Sequence, residues 1–223
     1  MIPFAEKSSR FLARLLAVGV LFLGLVSAAR ADLTTGLVAW YPFDGNASDM
    51  SGNGNDGTVN GTTLGTDRHG AASKAYSFDG VDDKITINHS VAFSSASQSL
   101  SAWVFKLDDG SNYPGIISKA SSNNIGWYLI IQSEDNSRLA YQGGIQSGVY
   151  FKALGQQLNN QQWHHLVATY TNGAQHLYVN NSLVSSDSKQ SNLPSNTQEI
   201  IIGYKTANSY FDGLIDDVRI YDR

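Results

Sequence analysis

Apolar and polar residues alternate along much of the chain, as they do in strands that bury one face. The clearest segments are residues 100–105, Leu-Ser-Ala-Trp-Val-Phe, and residues 165–170, His-Leu-Val-Ala-Thr-Tyr. Apolar or β-branched runs elsewhere, such as residues 127–131 and 200–203, have the length of strands. No stretch of eleven or more residues carries a clean apolar period of 3.6. The pattern therefore predicts an all-β protein.

Turn-forming dipeptides separate the predicted strands. Asn and Asp tolerate positive φ, and Gly has no Cβ to clash, so such pairs reverse the chain at little cost. The pairs are Asp44-Gly45, Asn60-Gly61, Asp79-Gly80, Asp109-Gly110, Asn172-Gly173, Asn180-Asn181 and Asp212-Gly213. Residues 163–170, 175–179 and 182–184 are predicted to form a three-stranded meander. Ten or more short strands with regular turns indicate an antiparallel β-sandwich.

The first 31 residues have the features of a secretory signal peptide. Three cations precede an apolar run at residues 15–26, and Ala29-Arg30-Ala31 offers a small-x-small cleavage pattern. The apolar run is short for a membrane span, and a retained signal anchor is the alternative. Cleavage after Ala31 would leave residues 32–223 as one domain, periplasmic or secreted, without membrane association.

Charge and cysteine content narrow the possible functions. The 223 residues hold 15 Lys and Arg against 19 Asp and Glu, and no Cys. Without the first 31 residues the net charge is −7, and the acids are sixteen Asp and two Glu. This acidic balance argues against nucleic-acid binding. The lack of Cys excludes disulfides, Cys zinc sites and thiol nucleophiles, so an exported domain would depend on a large core or a metal.

Four ordered segments resemble landmarks of the LamG-like jellyroll domains, members of the concanavalin A-like lectin/glucanase superfamily. The segments are residues 37–45 with 49–57, residues 76–83, residues 163–170 with 177–183, and Gly203 with residues 211–221. The resemblance covers almost all of residues 32–223. It implies a jelly roll of two antiparallel sheets packed face to face, with adjacent first and last strands and often one bound calcium ion.

The opening loop offers an independent argument for calcium. Residues 44–57 are rich in Asp, Asn, Ser and Gly, and calcium prefers six to eight oxygen ligands. If Val218 and Ile220 point into the core, a period of two places Asp216 on the same face, near this loop. We expect a structural calcium ion with contributions from Asp44, Asp49, Asn53 and Asp216. In the alternative, these residues build Asx turns and Asp216 accepts backbone N–H bonds.

The sequence lacks the carboxylate pair of a glycoside hydrolase. Laminarinase-type enzymes of the superfamily use a Glu-x-Asp-x-x-Glu strand, and retaining enzymes need two carboxyl groups about 5 Å apart. Glu134 and Glu199 are distant in sequence, and neither has an acid four residues later. Most Asp residues lie in turn dipeptides, where a solvated carboxylate has no reason for a raised pKa. We expect no catalytic residues and no enzymatic activity, with a hydrolase as the less favoured alternative.

The favoured hypothesis is a recognition module that binds carbohydrate or another surface polymer, and the alternative is a protein-interaction or adhesion module. Tyr113, Tyr150 and Tyr210 lie in polar loops and are the candidate ligand-binding residues, although Tyr is also an ordinary edge residue. The four tryptophans, Trp40, Trp103, Trp127 and Trp163, are expected in the core.

Overall fold

The computed structural model describes most of the chain after residue 31. The described ranges are residues 32–107, 113–121, 125–132, 138–146, 149–188, 193, 195–206 and 209–223, with the backbone alone for 142–146 and 149–151. The predicted signal peptide and Glu134 lie outside these ranges. Residues Thr34–Arg223 form one compact unit.

Fifteen strands and one short 3₁₀ turn, Val91–Ser94, are present in the described ranges. The strands are β1 (Leu37–Tyr41), β2 (Gly57–Asn60), β3 (Thr63–Gly65), β4 (Ala75–Asp79), β5 (Lys84–Ile87), β6 (Gln98–Lys106), β7 (Gly115–Ala120), β8 (Gly126–Gln132), β9 (Arg138–Gln146), β10 (Val149–Gln157), β11 (Trp163–Thr171), β12 (Ala174–Val179), β13 (Ser182–Asp187), β14 (Ile200–Ile202) and β15 (Asp212–Tyr221). Within the same ranges, no helix combines the length and apolar character needed to cross a bilayer.

The strands form two antiparallel sheets, which confirms the predicted β-sandwich. One sheet has eight strands in the order β13-β12-β11-β6-β15-β4-β3, with β1 also paired to β15. The other has seven strands in the order β10-β9-β8-β7-β14-β5-β2. Leu37 pairs with Tyr221, and Tyr41 with Val218, so the first and last strands are adjacent as expected. The predicted meander is present as β11, β12 and β13.

Alternation explains the core between the sheets. In β6, Leu100, Ala102 and Val104 are buried, and the residues between them are partly exposed. Residues of both sheets, among them Ile85 and Leu166, contribute to one hydrophobic cluster. Each aliphatic side chain buried in this way stabilises the fold by about 1.5–3 kcal/mol.

Three of the four tryptophans do not lie in the core, so their predicted placement is wrong. Trp40, Trp103 and Trp163 are half-buried residues of the eight-stranded sheet. Trp103 pairs with His165, and Trp163 with Phe105, on the face opposite the core, here called the outer face. Alternation places them there because their neighbours fill the core. Trp127 is 2% exposed and lies in the core, as expected.

A bulge in β15 changes the face on which Asp216 lies. Ile215 pairs with the buried Val104 and Asp216 with Trp103, and the register then shifts between Asp216 and Arg219. Asp217 has a φ of 46°, a left-handed conformation that Asp tolerates. Asp216 therefore lies on the outer face. The prediction that it shares the face of Val218 is wrong because the bulge interrupts the period of two.

Candidate functional site

A cleft of about 290 Å³ lies where β1, β15 and the β3–β4 loop meet. We call it the Arg–Asp cleft and define it by Trp40, Arg68, Lys74, Asp216, Asp217 and Arg219. Arg68 and Lys74 come from the β3–β4 loop, which Asp67 shapes by accepting hydrogen bonds from the N–H groups of His69 and Ala71. Residues far apart in sequence therefore converge on one opening.

The innermost contact in the cleft is an ion pair between Arg68 and Asp216. The Asp216 side chain is 3% exposed and that of Arg68 is 23% exposed, so the carboxylate lies beneath the guanidinium. Burial raises the pKa of Asp216 to about 6, although the positive charge of Arg68 opposes this shift. The Arg68 guanidinium also lies 3.7 Å from Asp217 Oδ2.

Each arginine of the cleft stacks on a tryptophan. The Arg68 guanidinium carbon lies 4.9 Å from the centre of the Trp103 ring, and that of Arg219 lies 5.0 Å from the Trp40 ring. Trp40 Nε1 donates a hydrogen bond of 2.7 Å to Asp217 Oδ1, and Arg219 lies 3.1 Å from the same oxygen. Stacking and ion pairing thus hold both guanidinium groups in defined positions.

The outer face beside the cleft carries further aromatic side chains. The rings of Trp103 and His165 lie 5.0 Å apart, and those of Phe105 and Trp163 lie 5.6 Å apart. Ser101 Oγ lies 3.0 Å from His165 Nε2. Desolvation lowers the pKa of His165, so its neutral form is favoured at neutral pH. The cleft thus continues into a half-exposed aromatic surface.

The four predicted calcium ligands have separate partners. Asp49 accepts backbone hydrogen bonds from Trp40 and Ser51 through Oδ1 and from Asn55 through Oδ2. The Asn53 amide donates to the carbonyls of Leu37 and Val38. Asp44 lies 3.3 Å from Lys74, and Asp216 pairs with Arg68. These contacts do not bring the four side chains together as one ligand set, and calcium in the opening loop stays a prediction.

Another group of carboxylates lies close together at the end of β4 and in the turn after it. Asp79, Asp82 and Asp83 offer oxygens within 4.8 Å of one another. Asp83 is buried, and burial together with the charge of Asp79 raises its pKa. The same residues also build a turn, since Asp79 Oδ1 accepts from the N–H groups of Val81 and Asp82. From the sequence, Asp79 was expected in a turn and in the segment 76–83 that resembles the family, but not as a metal ligand.

Two of the three predicted ligand-binding tyrosines, Tyr113 and Tyr210, contact the consecutive residues Lys205 and Tyr204. Lys205 Nζ lies 5.0 Å from the Tyr113 ring centre and 4.8 Å from that of Tyr128. The rings of Tyr204 and Tyr210 lie 4.5 Å apart. We call these five residues the Tyr–Lys cluster. Tyr150 lies in β10, and its side chain is outside the described part of the structure.

Sequence reasoning missed the residues that define the Arg–Asp cleft, except Asp216, although the predicted residue Asp44 also lines it. Alternation in β6 could have placed Trp103 on the outer face, because the alternate residues of that strand are strongly apolar. Arg68 and Lys74 carry no comparable signal, since they lie in a loop without a motif. Their approach to β15 depends on the pairing of distant strands.

The sequence and the fold can be compared with those of known proteins. Comparison with curated protein sequences finds no significant match. Domain 4 of AbnA, a GH43 extracellular arabinanase from Geobacillus stearothermophilus, has been solved in complex with arabinotriose. It is 23% identical with a TM-score of 0.67, and the match covers 83% of this chain and 91% of that domain.

Binding domains of botulinum neurotoxins are also similar in structure. The neurotoxin DC domain has been solved in complex with SialylT and with rat synaptotagmin II, in each case at 16% identity and a TM-score of 0.69. The match covers 86% of this chain and 49% of the toxin domain, so the chain spans about half its length. At these identities the likeness shows the fold alone.

A family model identifies the chain more directly. The Laminin_G_3 model, described as concanavalin A-like lectin/glucanases superfamily, matches residues 79–223. The match covers more than half of the chain and includes β5 to β15, among them the strand that supplies Asp216, Asp217 and Arg219. The chain therefore belongs to the Laminin_G_3 family of the concanavalin A-like lectin/glucanase superfamily.

Proposed function

We propose that this domain is a non-catalytic carbohydrate-binding module that acts outside the cytoplasm, with the Arg–Asp cleft as its sugar site. The observation that carries the proposal is the convergence of a half-buried tryptophan, two fixed guanidinium groups and carboxylates on one cleft. The predicted signal peptide supports export. The arabinotriose complex of a domain with the same fold supports a sugar as ligand.

The cleft has the chemistry that sugar recognition needs. Sugar rings present C–H groups that pack on aromatic side chains and hydroxyls that form hydrogen bonds. Trp40 and the stacked Arg219 supply planar surfaces, and Asp217 and Lys74 supply an acceptor and a donor. Specific small-molecule sites commonly combine apolar walls with a few well-placed polar groups. Because ion pairs hold these groups in place, little side-chain ordering would accompany binding.

The state of the carboxylates supports binding over hydrolysis. A raised pKa is typical of a general acid in glycosidases, and Asp216 has one. Its side chain, however, is only 3% exposed and lies against Arg68, so it cannot reach a glycosidic oxygen without loss of that pair. Asp217 is engaged by Trp40 and Arg219. We expect that any bound oligosaccharide is recovered intact.

A glycan array tests the proposal and its location together. Replacement of Arg219 by Ala removes one guanidinium and its stacking on Trp40, and we expect binding at least about tenfold weaker. The matched variant is Tyr210→Ala in the Tyr–Lys cluster, which should bind like the wild type. If Tyr210→Ala lost glycan binding and Arg219→Ala kept it, the sugar site would lie at the Tyr–Lys cluster instead. If the wild-type domain bound no glycan above background, the proposal would be wrong.

Calcium remains part of the proposal as a structural ion. The Laminin_G_3 resemblance and the absence of Cys motivate it, and the Asp79–Asp82–Asp83 group is one candidate place, since its carboxylate oxygens lie within 4.8 Å of one another. The opening loop with Asp44 is the other candidate. The Asp79–Asp82–Asp83 group contributes no side chain to sugar binding in our proposal, whereas Asp44 also lines the Arg–Asp cleft.

A protein partner is the second candidate function. The observation that favours it is the half-exposed aromatic surface formed by Phe105, Trp163, Trp103 and His165 on the outer face. Aromatic residues are enriched at protein interfaces. Replacement of Trp163 by Ser would then abolish partner binding and leave glycan binding unchanged, which separates this function from that of the cleft.

A further inference from the structure

We propose that the Arg–Asp cleft selects neutral sugars and discriminates against sugars that carry a carboxylate. This inference rests on the proposed function, since it names the class of glycan that the cleft accepts. It follows from the order of donors and acceptors in the cleft and from its charge balance.

Donors and acceptors alternate along the cleft. Asp216 lies against Arg68, Asp217 lies between Arg68 and Arg219, and Lys74 lies beside Asp44. A sugar hydroxyl can donate one hydrogen bond and accept others, whereas an ionised carboxylate can only accept. Two neighbouring hydroxyls can therefore bridge a guanidinium and an aspartate at the same time. A carboxylate in the same position would meet an aspartate oxygen with no proton to share.

The charges around the cleft also oppose an anion. Its walls hold three cations, Arg68, Lys74 and Arg219, against four carboxylates, Asp44, Asp67, Asp216 and Asp217. Each of the three cations lies within 4 Å of at least one of these carboxylates. A ligand anion would have to compete for guanidinium groups that are already paired. Like charges brought together during binding lower the affinity for such a ligand.

The stacked arrangement prevents an easy rearrangement. Arg68 is fixed over Trp103 and Arg219 over Trp40, and both are tied to Asp217. To form a bidentate pair with a ligand carboxylate, either guanidinium would have to leave its ring or its aspartate. A hydroxyl can accept from a guanidinium and donate to the neighbouring aspartate, so it can join the existing pairs without breaking them.

A chemically matched pair of ligands gives the sharpest test. A neutral glycan that binds the wild-type domain is oxidised at its primary alcohols to carboxylates, and a portion is then reduced back to the alcohol. Calorimetric titration is expected to show binding at least about tenfold weaker for the oxidised form and full recovery for the reduced form. Equal or tighter binding of the oxidised form would overturn the inference and leave the proposed function intact.

Salt dependence provides a second readout on the unmodified protein. Binding of the neutral glycan should change by less than about twofold from about 50 mM to about 500 mM NaCl, because no ligand charge is involved. The oxidised form should gain affinity relative to the neutral form as salt screens the repulsion. If added salt instead weakened the oxidised ligand further, the cleft would attract anions and the inference would be wrong.

An isosteric variant tests the role of the aspartate. Asp217→Asn keeps the shape and tolerates the left-handed conformation, but removes one negative charge. We expect weaker binding of the neutral glycan and a smaller difference between neutral and oxidised ligands. The matched control is Asp222→Asn, an exposed aspartate outside the cleft and outside the Asp79–Asp82–Asp83 group. If folded Asp217→Asn showed the same difference in affinity between neutral and oxidised glycan as the wild type, the inference would be wrong.

A separate outcome concerns the proposed function. If the wild-type domain bound neither neutral nor oxidised glycan, the proposed function itself would be wrong.

Discussion

At the scale of single residues, Asp216 and Lys119 are the two ionisable groups whose burial is most informative. Asp216 is 2% exposed and is compensated by Arg68 on the outer face. Lys119 is 1% exposed and donates from Nζ to the backbone carbonyl and the side-chain oxygen of Asn196, at 2.6 and 2.7 Å. A buried charge without its partner strongly destabilises the native state, so a change at either contact should alter the free energy of unfolding measurably.

Removal of Arg68 should destabilise the domain through Asp216. In Arg68→Met the carboxylate loses its opposite charge while still buried, and we expect the free energy of unfolding at pH 7 to fall by about 2–4 kcal/mol. Adding Asp216→Asn to that variant should restore a large part of the loss, since an amide has no charge to compensate. Urea denaturation measures both. The control is Arg223→Met at the exposed carboxyl end, and a loss below about 0.5 kcal/mol in Arg68→Met would contradict this account.

Lys119 predicts a pH dependence of stability. Desolvation lowers its pKa from 10.5 to about 8, so the native state releases this proton near pH 8 and the unfolded chain near pH 10.5. Between these values the unfolded state binds more protons, and the contribution of Lys119 to stability rises with pH. The gain should be about 2–3 kcal/mol.

The measurement is the difference in unfolding free energy between wild type and Lys119→Met at pH 7.5, 9 and 10. Other titrating groups contribute equally to both proteins, so the difference isolates Lys119. The unfolding free energy of the wild type should rise relative to that of Lys119→Met as the pH rises. A constant difference would show that Lys119 does not release its proton in this range.

At the scale of elements, β15 positions the cleft and also shows what the sequence could not reveal. Alternation correctly predicted the strands at residues 100–105 and 165–170 and the meander, and Val218 and Ile220 lie in the core as assumed. The bulge at Asp217 was not predictable from alternation, because Asp216 and Asp217 are identical residue types and nothing in their order marks the shift in register. The predicted face of Asp216 was therefore wrong, whereas its burial was predicted correctly.

Close packing at the start of β15 makes Gly213 sensitive to substitution. Its φ is 143°, and a Cβ there would overlap the carbonyl oxygen of Phe105 in β6. Gly213→Ala should reduce the free energy of unfolding by at least about 2 kcal/mol more than Gly52→Ala, whose φ is 89° and whose Cβ would have nothing within 4 Å. Thermal denaturation of both variants checks this. Similar losses in the two would mean that β6 and β15 are packed less closely there.

At the scale of the whole molecule, the fold was largely predictable from the sequence, whereas the Arg–Asp cleft was not. Period-two patterning and turn dipeptides are local signals, and they were sufficient for an antiparallel β-sandwich. The pairing of the first and last strands was expected only from the resemblance to the LamG-like family. The Arg–Asp cleft instead joins a loop before β4, the first strand and the last strand. Residues 40, 68 and 219 meet only because β15 lies between β6 and the pair β1 and β4. Such long-range convergence has no counterpart in any single window of sequence.

Calcium is a prediction for the whole domain, because a structural ion would stabilise the native state relative to the unfolded chain. Excess chelator should lower the melting temperature, and added Ca²⁺ should restore it. Asp83→Asn would abolish this response if the ion lies at the Asp79–Asp82–Asp83 group, and Asp44→Asn would do so if it lies in the opening loop. A melting curve that chelator leaves unchanged would exclude a structural calcium ion.

The central claim, that sugar binds in the Arg–Asp cleft, is tested most directly by the indole N–H signals in a ¹H–¹⁵N NMR titration with a neutral oligosaccharide. The four tryptophans sample different places: Trp40 lines the cleft, Trp103 lies under Arg68, Trp163 lies on the outer face, and Trp127 lies in the core. We predict saturable shifts of the Trp40 and Trp103 signals, with Trp127 unchanged. Saturable sugar binding that leaves Trp40 and Trp103 unmoved would contradict the account.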